Sequence, residues 1–216
     1  MPIGPHELEA AFAVAPFDAR SAQRTMEPAF RGEPPFDADS RTPRAASALA
    51  YVFEDDGRLR FPLTLRRDDL REHKGQVSLP GGRPEPGESS FETARREAHE
   101  EIGLDPALAL EIGTLADVYI PVTHTHLRVH VAVGPAPDGL LADPREVAEL
   151  RLADLDDLLD PAVRTTETRE IRGRPVDVPY FRLAGWTVWG ATAIALAELS
   201  GRLAAATSGR STRGTW

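Results

Sequence analysis

Apolar runs with the composition of β-strands recur along the chain and alternate with glycine, proline and polar turn signals. Residues 44–53 and 58–65 flank the turn sequence 54–57, and this pattern predicts a central hairpin. Further strands are predicted over residues 109–118, with a bend at Gly113, and over residues 127–133, 146–152, 165–171 and 176–181. The order of strands and helices is compatible with a layered α/β domain.

Helical spacing predicts further elements, which cover residues 6–14, 153–159 and 186–206. The most sharply bounded helix starts after Ser89 or Ser90, either of which can cap its first turn. This helix ends at Gly103, where a left-handed cap is expected. At the start of the last helix, Trp186 and Trp189 are expected to pack against the sheet rather than to stack on a ligand.

Three glutamates share one face of the helix that ends at Gly103. At about 100° per residue, Glu97, Glu100 and Glu101 fall within a sector of roughly 100°. Like charges at this spacing destabilise a helix, and a hard divalent cation such as Mg²⁺ or Mn²⁺ removes the conflict because it prefers oxygen ligands. Arg96 stands four residues before Glu100 and can orient its carboxylate. A plain acidic surface helix is the alternative interpretation of this spacing.

Composition divides the chain into three parts. Residues 1–43 hold the first helix and a segment, 16–43, that is rich in proline, arginine and acidic residues. We expect this segment to be an extended arm around the domain or towards a partner subunit, and disorder is the alternative. Residues 44–207 form the main domain, and residues 208–216 are a small, polar tail that we expect to be mobile.

The overall composition argues against several classes of function. A chain of 216 residues with 41% hydrophobic residues is large enough for one packed domain with an appendage. Its net charge of −9 argues against broad binding to nucleic acid, although local arginines or a metal can still receive an anionic substrate. With no cysteine, disulfides and thiolate catalysis are absent. The sequence predicts neither a membrane span nor a secretory signal, so we expect a cytoplasmic protein, and homodimerisation stays open.

The densest basic run of the chain lies between the predicted hairpin and the glycine-rich loop. Arg66, Arg71 and Lys74 stand in this run and can bind phosphate oxygens. Interleaved acidic residues favour a solvated loop on charge alone. Gly81 and Gly82, which follow the run, allow the close approach of a ligand or metal.

Three histidines lie close together after residue 120. His124, His126 and His130 alternate along a predicted loop and strand, which is an ordinary β pattern. No cysteine or carboxylate completes a zinc set beside them, so zinc binding is the disfavoured interpretation.

Residues 82–104 fit the pattern G-x5-E-x7-R-E-U-x-E-E-x-G-U at each fixed position, where U is an apolar residue. This pattern is the Nudix box, and the segment strongly resembles that of the Nudix hydrolases. Its weakest position is Ala98, where a larger aliphatic residue is usual. The resemblance implies the Nudix α/β/α sandwich, with a mixed, curved sheet between the box helix and the C-terminal helix.

A second resemblance, over residues 63–82, is to the coenzyme A pyrophosphatase branch of the Nudix hydrolases. The matching residues are Leu63, Thr64, Arg66, Leu70, Arg71, His73, Lys74, Gly75, Gln76, Val77, Ser78, Pro80, Gly81 and Gly82. Leu79 stands where that branch typically has phenylalanine, a change that can reshape the pocket wall. Residues 119–122 also resemble a segment of the branch, but residues 123–126 differ from the small residues that usually follow.

The resemblance implies metal-dependent hydrolysis of the diphosphate bond of coenzyme A or acyl-CoA, to 3′,5′-ADP and (acyl-)4′-phosphopantetheine. Glu97, Glu100 and Glu101 would bind Mg²⁺ or Mn²⁺. A carboxylate near the metal, with Glu97 and Glu146 among the candidates, could take the proton of the attacking water.

The same resemblance suggests roles for the residues around these carboxylates. Glu88 and Arg96 would brace the loop and the helix, and Arg66, Arg71 or Lys74 would meet the 3′-phosphate of coenzyme A. Two alternatives stay open. One is hydrolysis of another nucleoside diphosphate derivative, such as ADP-ribose or a dinucleotide, and the other is a ligand-sensing Nudix module without catalysis.

Overall fold

The structure is a computed structural model that describes residues 2–30, 42–69, 75–171 and 173–208. Its α-helices are α1 (Pro5–Ala13), α2 (Ala19–Arg24), α3 (Ser90–Ile102) and α4 (Gly190–Ser208). Short 3₁₀ turns are formed by Pro106–Leu108, Leu155–Leu159 and Pro161–Val163. The strands are β1 (Ala29–Phe30), β2 (Arg44–Asp55), β3 (Arg58–Arg66), β4 (Val77–Ser78), β5 (Gly81–Gly82), β6 (Leu110–Thr114), β7 (Val118–Ile120), β8 (Thr125–Val133), β9 (Val147–Asp154), β10 (Arg164–Ile171), β11 (Arg174–Leu183) and β12 (Trp186–Trp189).

The strands of the described residues form two sheets. The larger has the order β4-β3-β2-β8-β6, with β5 beside β2, β7 beside β8 and β9 beside β3. Because β2 pairs with β8 in parallel and with β3 antiparallel, this sheet is mixed, as predicted. The smaller sheet has the order β1-β11-β10, and β12 pairs with β11.

Strand β2 contributes to the apolar core on both faces of the larger sheet. Successive side chains of a strand point to opposite faces. Leu49, Tyr51 and Phe53 join a buried cluster with the apolar residues of α3. Ala48, Ala50 and Val52 join the other buried cluster, which contains the apolar residues of α4. Helices therefore cover both faces, and the predicted α/β/α sandwich is confirmed.

The N-terminal segment differs from the extended arm predicted over residues 16–43. Ala19–Arg24 form a helix, α2, and the carboxylate of Asp18 caps it by accepting the Ser21 N–H at 3.0 Å. Both α1 and α2 pack against α4. A helix this short has too few positions to show periodicity in the sequence and takes its stability from packing. Residues 31–41 of the predicted arm lie outside the described residues.

The helix predicted over residues 186–206 is wrong at its start. Trp186–Trp189 form strand β12 against β11, and α4 begins at Gly190, whose φ is 66°. Aromatic and β-branched residues favour a strand when a partner strand is present, and this partner comes from earlier in the chain. The helix continues to Ser208, so the rest of the predicted tail, residues 209–216, lies outside the described residues. None of the helices in the described ranges is both long and apolar enough to cross a membrane.

The two tryptophans of β12 are half-buried. The Arg151 guanidinium lies 4.5 Å from the ring centroid of Trp186, and that of Arg169 lies 4.5 Å from the ring centroid of Trp189. Trp186 also packs against the larger apolar cluster. Packing inside the protein was expected for both indoles, and the structure adds an arginine to each ring.

The strand predicted over residues 109–118 is divided into β6 and β7, both of which pair with β8. The bend predicted at Gly113 is confirmed, because the register of β6 shifts between Glu111 and Gly113. A Cβ added at Gly113 would collide with the ring of Phe12, so glycine is needed where α1 approaches the sheet. The other predicted strands are present as β2, β3, β8, β9, β10 and β11, and the acidic helix predicted over residues 153–159 is a 3₁₀ turn.

Candidate active site

Helix α3 carries the predicted caps at both ends. The Ser89 hydroxyl accepts the Glu92 N–H at 3.3 Å, and the Glu92 carboxylate accepts the Ser89 N–H at 2.8 Å. Gly103 ends the helix in the left-handed conformation, with φ at 69°. Between the caps, Ala94 and Ala98 are fully buried against the sheet. The caps and the buried face together determine the direction in which the carboxylates of α3 point.

Glu88 and Arg96 connect the glycine-rich loop with α3. Arg96 donates from Nε to Glu88 Oε1 at 2.7 Å and from Nη2 to the carbonyl of Arg83 at 2.9 Å. Glu88 Oε2 accepts the N–H of Glu85 and the hydroxyl of Thr93, both at 2.9 Å. The hydrogen bond from Arg96, followed by that from the Glu85 backbone, lowers the pKa of Glu88 to about 2. Glu88 is therefore a charged anchor between loop and helix at neutral pH.

Arg96 also holds two of the predicted metal ligands. Its Nη2 lies 3.0 Å from Glu97 Oε1, and its Nη1 lies 3.1 Å from Glu100 Oε2. The Glu97 side chain is 16% exposed and the Glu100 side chain 53% exposed, so the first faces the protein and the second faces solvent. One guanidinium thus orients carboxylates from the loop and from two positions of α3.

Glu101 is the most buried carboxylate of α3, and a second arginine connects it with Glu146. Arg66, at the end of β3, places Nη1 3.9 Å from Glu101 Oε1 and 3.2 Å from Glu146 Oε2. The N–H of Gly81 donates to Glu101 Oε2 at 3.4 Å. The structure therefore brings Glu146 to the carboxylates of α3, although it lies far from them in the sequence.

Burial and like charge raise the pKa of two carboxyl groups in this cluster. Burial raises the pKa of Glu101 to about 8, and the charge of Glu97 adds to the rise. Burial also raises the pKa of Glu97, to which the charges of Glu100 and Glu146 contribute, while the neighbouring arginines oppose both shifts. The carboxylates are thus crowded beyond what two guanidinium groups compensate, and a divalent cation would relieve that crowding.

The donor set consists of carboxylate oxygens, which suits Mg²⁺ or Mn²⁺. Within the described ranges, no three histidine, cysteine, aspartate or glutamate side chains are already arranged as a metal-binding set, and Arg66 and Arg96 pair with the carboxylates instead. A Cβ added at Gly82 would collide with the Glu97 carboxylate, and one added at Gly81 would collide with the backbone of β2. Both glycines are therefore needed for the close approach of β5 to the cluster.

The loop before β9 makes a connection that the sequence pattern did not predict. The Asp143 N–H donates to the carbonyl of Glu101 at 2.8 Å, and the Asp143 carbonyl accepts the Glu146 N–H at 3.1 Å. The Leu141 N–H donates to the carbonyl of Ile102 at 3.0 Å. These bonds fix Glu146 relative to the end of α3. No local sequence pattern indicated the partner of this loop.

The carboxylate cluster does not account for Arg71, Lys74 and the three histidines of the sequence analysis. Arg71 and Lys74 lie outside the described residues. His124 and His126 both pack against the ring of Tyr119, whereas His130 is buried under the start of α3.

Comparison with known proteins places this geometry in a family. A model of the NUDIX domain matches residues 43–172. Nudix hydrolase 15, mitochondrial, of Arabidopsis thaliana is 38% identical over 168 residues, which cover 73% of this chain and 58% of that protein. Nudix hydrolase 22, chloroplastic, of the same plant is 36% identical over 167 residues, which cover 70% of this chain and 52% of that protein. The chain therefore spans little more than half the length of these two curated relatives.

A relative from another kingdom and a solved structure extend the comparison. The mitochondrial coenzyme A diphosphatase NUDT8 of Homo sapiens is 34% identical over 157 residues, which cover 70% of this chain and 66% of that protein. The MutT protein from Methanosarcina mazei Go1 shares the fold, with a TM-score of 0.51, 18% identity, and coverage of 79% of this chain and 99% of that chain. The family model spans more than half of the chain and includes the whole carboxylate cluster, so the chain belongs to the Nudix hydrolase family.

Proposed function

We propose that the chain hydrolyses the diphosphate bond of coenzyme A or an acyl derivative, giving 3′,5′-ADP and (acyl-)4′-phosphopantetheine. The observation that carries the proposal of hydrolysis is the convergence of Glu97, Glu100, Glu101 and Glu146 beside Gly81–Gly82. Nudix hydrolases generally need divalent metal ions such as Mg²⁺ or Mn²⁺. A carboxylate cluster with raised pKa values is the arrangement that such an ion stabilises.

Glu97, Glu100 and Glu101 would hold the ion, with Glu146 as a further ligand or as the base. When bound, the ion would neutralise the diphosphate oxygens and lower the pKa of a nearby water. Water adds to one phosphorus while the P–O bond to the bridging oxygen breaks, and that oxygen leaves on the other phosphate. Glu97 or Glu146 accepts the proton that the water loses. Arg96 contributes by holding two of these carboxylates in position.

Two observations support coenzyme A as the substrate. Residues 63–82 resemble the coenzyme A pyrophosphatase branch, and one of the relatives is named as a coenzyme A diphosphatase. The 3′-phosphate distinguishes coenzyme A from most other nucleoside diphosphate derivatives and needs a cationic partner. We assign that role to the basic run that contains Arg66, Arg71 and Lys74, because guanidinium and ammonium groups bind phosphate oxygens.

A substrate panel with mass detection of the products tests the proposal. The chain is incubated with Mn²⁺ and coenzyme A, 3′-dephospho-coenzyme A or ADP-ribose, with EDTA-treated protein as the control. We expect 3′,5′-ADP and 4′-phosphopantetheine from coenzyme A, and a kcat/KM at least about 10-fold lower for the dephosphorylated compound because a charge-assisted contact is lost. A strong preference for ADP-ribose would contradict the assignment of coenzyme A as the substrate. No cleavage of any diphosphate would indicate a ligand-sensing module.

The domain limits, the cellular location and the oligomeric state are also proposals. We propose that residues 44–207 form the catalytic domain and residues 1–43 an N-terminal addition to it. A cytoplasmic location stays a prediction from the sequence, and two of the plant relatives are named as mitochondrial and chloroplastic proteins. Sedimentation of the purified chain would distinguish a monomer from a homodimer.

A further inference from the structure

A second group of polar side chains lies at the other end of α3 from the carboxylate cluster. Ser90 is the first residue of α3, and Glu101 follows eleven positions later, which corresponds to about 16 Å along the helix. His130 of β8 and Glu111 of β6 face Ser90, and all three line an open cavity of about 840 Å³. The cavity contains none of the residues assigned to diphosphate hydrolysis.

These three side chains form a continuous hydrogen-bonded chain. His130 Nε2 lies 3.0 Å from Ser90 Oγ, and His130 Nδ1 lies 2.5 Å from Glu111 Oε1. Because an ionised carboxylate only accepts, Nδ1 carries the proton and Nε2 is left to accept the proton of the Ser90 hydroxyl. The Thr114 hydroxyl donates to the same Glu111 oxygen at 2.9 Å, which keeps the carboxylate turned towards the imidazole.

His130 and Ser90 differ in how deeply they are buried. His130 is 4% exposed, and the Phe91 ring packs against it with the two ring centroids 5.3 Å apart. Its imidazole is therefore held in one orientation. Ser90 is only partly buried and lines the cavity. A serine open to a cavity, a shielded imidazole and a carboxylate behind it have the contacts of a nucleophilic triad, which is recognised by geometry and not by sequence position.

The carboxylates that line the cavity are hydrogen-bonded to neighbouring side chains. Glu111 pairs with His130, and Arg128 donates to both carboxylate oxygens of Asp117 at 2.8 and 2.9 Å. The Glu111 carboxylate is covered by the imidazole and the Thr114 hydroxyl, and Arg128 covers Asp117, so neither carboxylate is left without a partner to recruit a cationic substrate. Together with the apolar contribution of Phe91 to its wall, this favours a small, uncharged molecule.

The position of Ser90 in α3 also provides for a developing negative charge. The N–H groups of the first helical turn have no carbonyl partner within the helix, and the helix dipole adds positive potential there. The N–H groups of Ser90 and Phe91 belong to this turn. They are suited to receive the oxygen of a carbonyl group that Ser90 attacks.

We propose that Ser90, His130 and Glu111 form a second catalytic site that hydrolyses small, uncharged carboxylic esters. Ser90 Oγ bonds to the carbonyl carbon while its proton passes to His130 Nε2. The ester C–O bond then breaks, and the alcohol leaves with that proton, so that an acyl-Ser90 remains. A water gives its proton to the same nitrogen as it attacks the acyl carbon. The acid is released, and the proton returns to Ser90 Oγ.

Covalent labelling and ester hydrolysis test this site in the full chain. A fluorophosphonate reagent is expected to give one adduct, which peptide mass mapping places on Ser90. The chain is expected to hydrolyse 4-nitrophenyl acetate faster than buffer does. Ser90→Ala should abolish the adduct and lower the ester rate by about 100-fold or more, because nucleophile and base act together. Ser208→Ala, which alters an exposed serine at the end of α4, should leave both unchanged.

A second variant separates catalysis from structural support. Glu111→Gln keeps a hydrogen-bond acceptor at an exposed residue but weakens the orientation of His130, and we expect the ester rate to fall by about 100-fold or more while the melting temperature is retained. No adduct, an adduct on another residue, or an unaltered ester rate in Ser90→Ala would overturn the proposal. The hydrogen-bonded chain would then be only a structural link between α3 and the sheet.

Discussion

Two buried glutamates, one in each of the large helices, have opposite environments. In α4, Glu198 is fully buried and accepts hydrogen bonds from Arg202 at 2.9 Å, from Gln23 at 3.0 Å and from the Ala116 N–H at 2.9 Å. In α3, Glu101 is 6% exposed and accepts one backbone N–H at 3.4 Å. The first carboxylate is surrounded by donors, whereas the second is surrounded by other carboxylates.

This difference separates a structural charge from a functional one. The donors around Glu198 tie α2 and the segment between β6 and β7 to α4, so this carboxylate contributes to the packing of α2. Glu101 has an arginine only at 3.9 Å, and like charge helps to raise its pKa to about 8. A buried carboxylate that the protein leaves undersatisfied indicates a ligand, because burying such a group without a partner is costly.

The largest expected effect comes from Glu101→Gln, which removes the charge and keeps the shape. We expect kcat/KM for coenzyme A with Mn²⁺ to fall by about 1,000-fold, because a metal ligand contributes several kcal/mol to transition-state charge stabilisation. The melting temperature of the metal-free variant at pH 7 or above should be equal or higher, because a carboxyl whose pKa is raised on folding costs stability there and glutamine does not. Glu9→Gln, at an exposed position of α1, is the matched control. A rate near that of the control would remove Glu101 from the metal site.

Glu198→Ala should have the reverse profile, with a large effect on stability and none on chemistry. Removing one member of a buried ion pair leaves Arg202 without its carboxylate and removes one of the acceptors of Gln23, and we expect about 3 kcal/mol less free energy of unfolding in chemical denaturation. The kcat/KM per folded molecule should be unchanged. Glu198→Gln, which keeps one acceptor oxygen, should lose less stability than the alanine variant. Equal losses would show that the acceptor oxygen kept by glutamine contributes nothing and that the charge accounts for the whole effect.

A smaller effect is expected from Gly82→Ala, which perturbs the carboxylate cluster through the neighbouring Glu97. The added Cβ would collide with the Glu97 carboxylate and displace it, so kcat/KM should fall by about 10- to 100-fold. Gly139→Ala is the matched control, because a Cβ there meets no atom within 4 Å. If both variants keep full activity, the close approach of β5 to α3 has no part in catalysis.

Sequence reasoning identified α3 because its signals are local. The cap at Ser89, the left-handed Gly103 and the spacing of the glutamates all lie within one segment, and the structure has the caps as predicted. The tryptophan strand Trp186–Trp189 was missed although its partner β11 ends at Leu183 and the two form a tight hairpin, because the alanine-rich sequence directly after it favoured a single long helix.

The contacts of Arg66 with Glu101 and Glu146 could not be predicted from the sequence, because they join residues that are far apart along the chain. Resemblance singled out Glu146, but only the fold brings it 3.2 Å from Arg66. The ester-site candidates were missed for the same reason, because Glu111 and His130 meet through the pairing of β6 with β8. Neither contact leaves a periodic signal in the sequence, since each joins residues of different elements.

The smallest expected effect concerns Glu88, the charged anchor that holds the loop to α3. Hydrogen bonds from Arg96 and from the Glu85 backbone lower its pKa from 4.5 to about 2. A carboxyl whose pKa is lower in the folded protein contributes stability that is present above about pH 4.5 and is lost as the pH falls towards about 2. Glu88→Gln should therefore lower the melting temperature at pH 7 and flatten its decline between pH 4.5 and 2, whereas Glu9→Gln should decline as the unaltered chain does. Parallel curves for the three proteins would show that the anchor adds no stability, and that the cap at Ser89 and the buried face suffice to hold α3.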